Sequence, residues 1–235
     1  MTNIAQNIAA VHQRIQLSCH KAGRNSGEVT LLAVSKTVSS ENIKLAIAAG
    51  QRDFGENYIA EGVDKISTLA AETAQYGLQW HCIGPVQSNK TRLVAQHFDW
   101  VHTIDRLKIA ERLNEQRPAD AKRLQVCIQV NIDGSPSKSG VAPNEVLTLA
   151  QKIAKLPRLQ LRGIMAVPDA VAENAMNNIA AKAVFMPART LFDQLNALNY
   201  DLDTLSIGMS ADLESAIHAG STMVRVGSAI FGSRT

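Results

Sequence analysis

Lys36 is the residue whose position first indicates chemistry. It closely follows the apolar run 31–34, and four apolar residues in succession fit a strand buried on both faces, as in a parallel sheet. Ser39 and Glu41 then open a helix, so Lys36 lies at the carboxyl end of the strand, where α/β folds keep their active sites. A lysine there is either a solvated surface charge, which is the commoner case, or an amine positioned to react with a carbonyl group.

Two polar turns near the C-terminus have the pattern of a phosphate site. Each follows an apolar strand candidate, and loops after the seventh and eighth strands of barrels commonly bind phosphate through backbone N–H groups. Ser210 is predicted as a helix N-cap, while Gly227 allows close backbone approach to an anion and Ser228 adds a hydroxyl. Either turn alone fits an ordinary helix start equally well; two adjacent turns favour phosphate binding.

Arg225 adds a third requirement on the ligand. It lies at the end of a buried strand candidate, where an unpaired guanidinium group would be very costly. It pairs there either with an Asp or Glu side chain or with a ring nitrogen of a ligand. Combined with Lys36 and the phosphate turns, the second alternative becomes specific. Pyridoxal phosphate is a phosphate ester that carries an aldehyde for a lysine amine and a pyridine nitrogen that needs a partner.

The elements that must position these residues alternate along the whole chain. Eight strand candidates are separated by helical patterns in units of roughly 20–40 residues, as a (β/α)8 barrel requires. An apolar stripe of Ile4, Ile8, Val11 and Ile15 adds a helix before the first strand. We therefore expect one TIM-type barrel domain over residues 1–235 with an extra N-terminal helix; a doubly wound sheet is the alternative. The strand candidates are residues 31–34, 52–57, 78–83, 100–104, 124–130, 159–165, 202–207 and 223–226.

Helix starts are predicted from capping residues and prolines. Thr2, Ser88 and Asp105 each precede a helical pattern and are candidate N-caps, in addition to Ser210. Ile59, Val63, Ile66 and Ala70 mark the apolar face of a single third helix. The segment 169–186 is rich in Ala and Asn with weak periodicity, and Pro187 either breaks or starts a helix there.

The composition bounds the class of protein. With 235 residues, of which 46% are hydrophobic, the chain can bury one large core. A net charge of +3, scattered basic residues and few aromatic residues argue against nucleic acid as a partner. Cys19, Cys82 and Cys127 are widely spaced, so reduced thiols are expected. No apolar block fits a signal peptide or a membrane span, which predicts a cytoplasmic location.

A set of motifs in order along the chain resembles the pyridoxal phosphate homeostasis protein family, also called the proline synthetase co-transcribed family. Two places depart from the family pattern, 134–136 and the surroundings of Pro187, and they affect loop details only. The motifs are Val34-Ser35-Lys36, Phe54-Gly55-Glu56-Asn57, residues 81–90, Ser137-Lys138-Ser139-Gly140, residues 162–166, Gly208-Met209-Ser210 and Arg225-Val226-Gly227.

The resemblance implies a barrel like the N-terminal domain of alanine racemase, with pyridoxal phosphate as the cofactor. It implies that Lys36 forms the Schiff base and that Arg225 faces the pyridine nitrogen. It also implies a place near the ring for Asn57, and it assigns the phosphate to Ser210, Gly227 and Ser228. Met165 and Met209, at strand ends, are candidates for contact with the ring, although core methionines need no such function.

Arg225 also bears on whether the chain is an enzyme. A guanidinium group is always charged, so a pyridine nitrogen beside it is disfavoured from taking a proton and the ring is a poor electron sink. In alanine racemase a second base, a tyrosine, comes from another domain, whereas here Tyr58 is the only tyrosine beside a predicted strand end. The interpretation is a monomeric carrier in vitamin B6 homeostasis that buffers the cofactor and delivers it, with apo enzymes as candidate recipients.

Two alternatives stay open. The first is a minor amino-acid racemase, and the second is a barrel that binds another phosphorylated metabolite without a Schiff base, against which Lys36 argues. Lys138, in the polar loop, is either a solvated lysine, which is the commoner case, or a residue that holds phosphate or accepts the cofactor during transfer. His81 and His102 fall inside strand candidates, where histidines with satisfied hydrogen bonds are expected.

Overall fold

Eight parallel strands close into a barrel in chain order. A computed structural model describes residues 3–168 and 183–232. Strand β8 pairs with β1, with Leu32 opposite Arg225, so no sheet edge is left open. The predicted (β/α)8 barrel is confirmed, and the β4, β5 and β8 limits agree with the predicted ones. The strands are β1 Thr30–Val34, β2 Asp53–Glu56, β3 Gln79–Cys82, β4 Trp100–Ile104, β5 Leu124–Val130, β6 Leu159–Ala166, β7 Thr204–Met209 and β8 Met223–Val226.

Helices surround the barrel, and the predicted extra helix is α1. Its stripe of Ile4, Ile8, Val11 and Ile15 is buried, and α1 packs against α2, α9 and α10. In the part of the chain that the structure describes, no helix is long and apolar enough to cross a membrane. The α-helices are α1 Ile4–Lys21, α2 Ser40–Ala48, α3 Ile59–Thr68, α4 Ala70–Tyr76, α5 Thr91–His97, α6 Leu107–Gln116, α7 Val146–Ile153, α8 Met186–Ala197, α9 Leu213–His218 and α10 Ser228–Phe231, with 3₁₀ turns at Ser26–Glu28 and Pro143–Glu145.

Three predicted N-caps outside the site are wrong. The cap of α1 is Asn3 rather than Thr2, and the Asn3 side chain accepts a hydrogen bond from the Gln6 N–H at 3.1 Å. Helices α5 and α6 begin after Lys90 and Arg106 without a side-chain cap. Ser88 and Asp105 lie in the loops before these helices rather than at the helix starts. The Ser88 carbonyl accepts from the Thr91 hydroxyl, and the Asp105 carboxylate pairs with Arg106.

The predicted third helix is divided into α3 and α4, which meet at Leu69. Its buried face carries Ile59, Gly62 and Lys65, whereas Val63 and Ile66 are half-buried. A lysine is tolerated on that face because carboxylates neutralise its charge, as described below.

Pro187 lies in the first turn of α8, so it starts a helix rather than breaking one. The rest of the predicted irregular segment, residues 169–182, lies outside the described residues.

Gly208 shows how tightly the end of β7 packs against α9. Its φ of +92° lies in the left-handed region, and a Cβ atom there would be 2.4 Å from the Cβ atom of Ala216. A side chain at position 208 is therefore disfavoured for two reasons, the positive φ of the backbone and the contact with Ala216. Gly50 has a similar φ of +95° but has open space around it.

We expect Gly208→Ala to lower the free energy of unfolding by about 1–3 kcal/mol more than Gly50→Ala, because only the first substitution adds a clash to the backbone strain. Urea denaturation of both variants measures the difference. Adding Ala216→Gly to Gly208→Ala removes the clashing methyl group and is expected to restore part of the loss. Equal losses in the two single variants would contradict the packing argument.

Candidate functional site

A cavity of about 450 Å³ opens at the carboxyl ends of the strands, a size that fits a small ligand. Its wall combines residues from both ends of the chain. Seven of the eight predicted site residues line it: Lys36, Asn57, Met209, Ser210, Arg225, Gly227 and Ser228. Val34, Ile83, Val167 and Ala211 complete the apolar part of the wall, and sequence reasoning had not singled them out.

Met165 is the exception among the predicted residues. It is buried inside the barrel with Trp100 and Cys127, in a cluster separate from the main core, and it is not on the cavity wall. Tyr58 is 58% exposed, outside the lining set. Lys138 pairs with Asp133 in its own loop, also outside that set.

The turn that carries Lys36 is tied to a buried ammonium group on α3. The Nζ atom of Lys65 donates to the Ser35 carbonyl at 2.6 Å and to Glu61 Oε1 at 2.5 Å. The same Glu61 oxygen accepts from the Thr37 N–H at 2.5 Å. Both neighbours of Lys36 are therefore held through Lys65, which fixes a turn in which Thr37 has a φ of +61°. The pairing of Glu61 with Lys65 at i and i+4 was the only sequence signal for this arrangement.

Glu56 completes the anchor below the turn. Its Oε1 atom accepts from Lys65 at 3.0 Å and from the Ser35 hydroxyl at 2.5 Å, and its side chain is fully buried. Burial raises the pKa of Glu56, opposed by the Ser35 hydrogen bond and the charge of Lys65. Because one buried cation supports this carboxylate, removing it would leave an uncompensated charge in the interior.

Asn57 follows β2 directly and presents an unsatisfied atom. Its Oδ1 atom is buried and has no hydrogen-bond partner among the described residues. Gly84 makes room for the Asn57 backbone, since a Cβ atom at position 84 would lie 2.0 Å from the Asn57 carbonyl oxygen. Buried amide oxygens normally accept a hydrogen bond. The unsatisfied oxygen of a cavity-lining residue therefore fits a ligand that brings a donor group.

Arg225 is a buried cation whose hydrogen bonds in the described part of the chain go to neutral oxygens. Its Nη1 atom donates to the Ser206 carbonyl at 2.6 Å and to the Ser206 hydroxyl at 2.8 Å, and Nη2 donates to the Ala166 carbonyl at 3.0 Å. Within the described residues no carboxylate forms an ion pair with it. Burial lowers the pKa of Arg225 to about 10, opposed by Asp212, so the group stays charged at neutral pH. The sequence alternative of a simple Asp or Glu pair is therefore not seen in this part of the chain.

The predicted cap at Ser210 is wrong, although Ser210 lines the cavity. Helix α9 begins at Leu213 after Asp212, because the Asp212 carboxylate accepts from the Met209 N–H and holds the intervening residues in a turn. Arg14 fixes that turn by donating to the Ser210 carbonyl at 3.0 Å.

The second predicted turn also faces the cavity. The Gly227 carbonyl accepts from the N–H groups of Ile230 and Phe231. The N–H groups of Ser228 and Ala229 thus come at the start of the helical turn, where backbone donors lack helical partners. With the Ser228 hydroxyl on the wall, this turn offers donors to an anionic group.

Comparison with known proteins identifies the fold. The family model described as "Alanine racemase, N-terminal domain" matches residues 3–235. The solved alanine racemase of Corynebacterium glutamicum superposes with a TM-score of 0.67 at 18% identity, over 99% of this chain and 61% of that one. At that identity the likeness concerns the fold alone. The barrel is therefore that of the alanine racemase N-terminal domain.

Nearer relatives show the family. The pyridoxal phosphate homeostasis protein of Vibrio cholerae is 54% identical over 234 residues, which cover 100% of this chain and 98% of that protein. The structure of PipY from Synechococcus elongatus, solved with pyridoxal phosphate bound, has a TM-score of 0.79 and 32% identity over 97% of this chain and 100% of that one. The chain belongs to the pyridoxal phosphate homeostasis protein family, so the resemblance of its motifs is confirmed.

Removing the buried ammonium group should loosen the Lys36 turn. We expect Lys65→Met to lower the free energy of unfolding by about 3–5 kcal/mol at neutral pH, because Glu56 stays buried without its cation. A glutamate whose pKa is raised on folding destabilises the fold as pH rises through that pKa. The deficit is therefore expected to shrink on acidification. Chemical denaturation as a function of pH measures both effects.

The matched control is Lys44→Met, since the Lys44 ammonium pairs with Glu72 at the surface. This change is expected to leave stability almost unchanged. A deficit in Lys65→Met that is no larger than the control, or that grows as pH falls, would contradict the role assigned to Lys65.

Proposed function

We propose that this chain binds pyridoxal 5'-phosphate as a Schiff base on Lys36 and acts in vitamin B6 homeostasis, buffering and delivering the cofactor without robust catalysis. The observation that carries the proposal is the convergence of Lys36, Arg225 and two donor-rich turns on one cavity of about 450 Å³. A lysine amine, a hydrogen-bond donor for the ring nitrogen and an anion site match the aldehyde, the pyridine nitrogen and the phosphate of this cofactor. The PipY structure with the cofactor bound supports it.

The residues on the cavity wall fit the parts of the cofactor. Ser210, Gly227 and Ser228 would hold the phosphate through hydroxyl and backbone donors. Arg225 would donate to the pyridine nitrogen, and the unsatisfied Oδ1 atom of Asn57 would accept from a donor near the ring. Once bound, the cofactor supplies an aldehyde carbon that exchanges between amines. Met209 would contact the ring, whereas the buried Met165 would support the wall from below.

Arg225 favours a carrier over an enzyme. Its guanidinium group faces only neutral acceptors, Ser206 and Ala166, among the described residues, and it remains charged at neutral pH. A charged donor opposes protonation of the pyridine nitrogen, which weakens the ring as an electron sink. No tyrosine in the described ranges lines the cavity to serve as a second base. We therefore propose that the site retains the cofactor rather than activating an amino acid.

The second candidate function is a minor amino-acid racemase. The observation that favours it is the fold, which this chain shares with alanine racemases. Against it, a racemase needs acid–base groups on both faces of the substrate, and losing one positioned group costs roughly 10²–10⁴ in rate.

Delivery requires access to the site from outside. Lys36, Asn57 and Ser228 lie on a cavity wall that opens at the barrel mouth, and none of the three is fully buried. We propose that free amines, or lysines of apo enzymes that depend on this cofactor, reach the carbonyl carbon there, with the protein acting as a cytoplasmic monomer. Nucleic acid and membranes are not proposed as partners.

Lys36→Ala is expected to abolish the Schiff base while leaving the barrel folded. The wild-type protein loaded with pyridoxal phosphate should show an absorbance band near about 420 nm that borohydride removes. The variant should lack it, and Lys138→Ala should retain it. A reducible band that persists in Lys36→Ala would move the linkage to another lysine, Lys138 first.

Pyridoxal without its phosphate is expected to bind the wild type poorly, and equal affinity for the two forms would refute the phosphate assignment.

The loaded protein is expected not to turn over amino acids, for the reasons given for Arg225. The measurement is exchange of the α-proton of D- and L-alanine in deuterated water, followed by NMR with stoichiometric protein. Exchange over many turnovers that is lost in Lys36→Ala would establish the racemase candidate.

In a separate assay, an apo acceptor enzyme is expected to regain activity faster with the loaded protein than with spontaneously released cofactor. Reactivation no faster than that release would leave buffering without delivery.

A further inference from the structure

A continuous line of polar side chains crosses the barrel interior below the cavity. Arg225 Nη1 lies 2.8 Å from Ser206 Oγ, and that oxygen lies 3.0 Å from His102 Nδ1. His102 Nε2 is 2.9 Å from His81 Nδ1, and His81 Nε2 is 3.2 Å from Asp53 Oδ1. The side chains of both histidines and Ser206 are buried, while the Asp53 side chain at the start of β2 is 27% exposed. The line therefore joins the cavity to solvent at the other end of the barrel.

The Asp53 end sets the direction of the hydrogen bonds. Arg225 can only donate, so Ser206 Oγ accepts from it, and the same hydroxyl has both a donor proton and a further acceptor lone pair for His102 Nδ1. Burial, followed by His81 and the charge of Arg225, holds the pKa of His102 well below its usual range, so this ring is neutral and carries a single proton. His81 then donates from Nε2 to the Asp53 carboxylate, which can only accept. In the arrangement in which that is the only ring proton of His81, His81 Nδ1 accepts from His102 Nε2 and His102 Nδ1 accepts from the Ser206 hydroxyl, so every donor points from the cavity towards Asp53.

We propose that Asp53, His81, His102 and Ser206 are positioning residues for Arg225, forming a one-directional hydrogen-bond relay. The relay fixes the guanidinium group below the ligand and links its strength as a donor to the carboxylate at the opposite end of the barrel. The inference rests on the proposed function in one respect, that Arg225 faces the ring of the bound cofactor. The relay itself belongs to the unliganded protein.

The relay could compensate part of the buried charge of Arg225, which its direct contacts with neutral oxygens do not. Arg225 has no carboxylate in contact among the described residues, and a buried cation requires compensation. Chains of hydrogen bonds polarise one another in a low-dielectric interior, so each link passes part of the effect of Asp53 to Arg225. Asp212 also acts on the Arg225 charge, from the turn before α9.

Charged groups surround the Asp53 end as well. The ring of His81 stacks on Trp100 with centroids 5.1 Å apart, and the guanidinium group of Arg162 lies 4.7 Å from the Trp100 ring centroid. Asp99 interacts electrostatically with His81. Asp53 is the acid in direct contact with His81, so it sets the direction of the last link.

Protonation would reverse part of the relay. If His81 carries protons on both ring nitrogens, its Nδ1–H donates to His102, whose own proton must then face Ser206 from Nδ1. Ser206 then accepts from both His102 and Arg225 and loses its acceptor.

The first test uses the unliganded protein. Nitrogen-15 NMR of the histidine rings distinguishes the tautomers, and we expect His81 and His102 both as neutral rings with the proton on Nε2. A proton on Nδ1 of His102 at neutral pH would overturn the relay. Asp53→Leu should disturb the His81 and His102 signals, whereas Asp53→Asn keeps an acceptor oxygen and should largely preserve them.

The second test compares cofactor affinity in Ser206→Ala and the wild type by absorbance titration. Loss of one hydrogen bond to a charged group is expected to weaken pyridoxal phosphate binding about tenfold at neutral pH. The ratio of the two dissociation constants should shrink when Asp53→Leu is present in both proteins, since that change already disrupts the relay. A ratio that Asp53→Leu does not change would mean that Ser206 is merely structural and would overturn the proposal.

Ser221→Ala is the matched control. Ser221 is a buried serine whose hydroxyl donates to the Ile207 carbonyl at 2.8 Å, outside the relay. Its replacement should leave the affinity and the histidine signals unchanged. If Ser206→Ala does not fold, Asp53→Leu replaces it in the titration, and it is expected to bind pyridoxal phosphate more weakly than the wild type; an unchanged affinity would overturn the proposal. Failure of the wild type to bind pyridoxal phosphate would refute the proposed function, and the unliganded NMR spectra would still decide the relay.

Discussion

Pairing of β8 with β1 is the constraint on which the site depends. The register sets Leu32 opposite Arg225 and Ala33 opposite Val226, so the turns that follow these strands open into one cavity. Lys36, near the start of the chain, thereby shares a wall with Gly227 and Ser228 near its end. A parallel barrel brings all carboxyl ends to one face, and the closing register decides which of them become neighbours. An open sheet would leave the amine and the anion site on opposite edges.

The barrel interior is unusual in what it buries. Inward positions of such barrels are commonly filled by branched apolar side chains, whereas here the third residues of β3, β4, β7 and β8 are His81, His102, Ser206 and Arg225. Burying polar groups is costly unless each finds a partner, and each of these four does. These polar contacts hold the guanidinium group of Arg225 at the cavity through hydrogen bonds, which apolar side chains in the barrel interior could not form.

Local patterns predicted the strands and most of the residues on the cavity wall, but they failed where the partner of a side chain could not be identified from the pattern. Runs of apolar residues identify β4, β5 and β8 because buried parallel strands have that composition. Lys36 and Arg225 were found because each ends such a run. Lys65 was missed because a lysine on a helical face is normally solvated, and its burial depends on Glu56 from β2 in addition to the neighbouring Glu61. The cap at Ser210 failed because the competing acceptor, Asp212, lies two residues further on.

The same electrostatic logic governs the two halves of the site. Beside Lys36, the buried ammonium group of Lys65 is paired with carboxylates that fix the turn. The buried guanidinium group of Arg225 is instead held by neutral oxygens and keeps its charge at the cavity wall. Acids around Lys65 make the turn before α2 rigid, whereas Arg225 keeps its charge directed at the cavity. Under the proposed function, the covalent bond would form at the rigid turn, and the charge of Arg225 would oppose protonation of the ring and so weaken it as an electron sink.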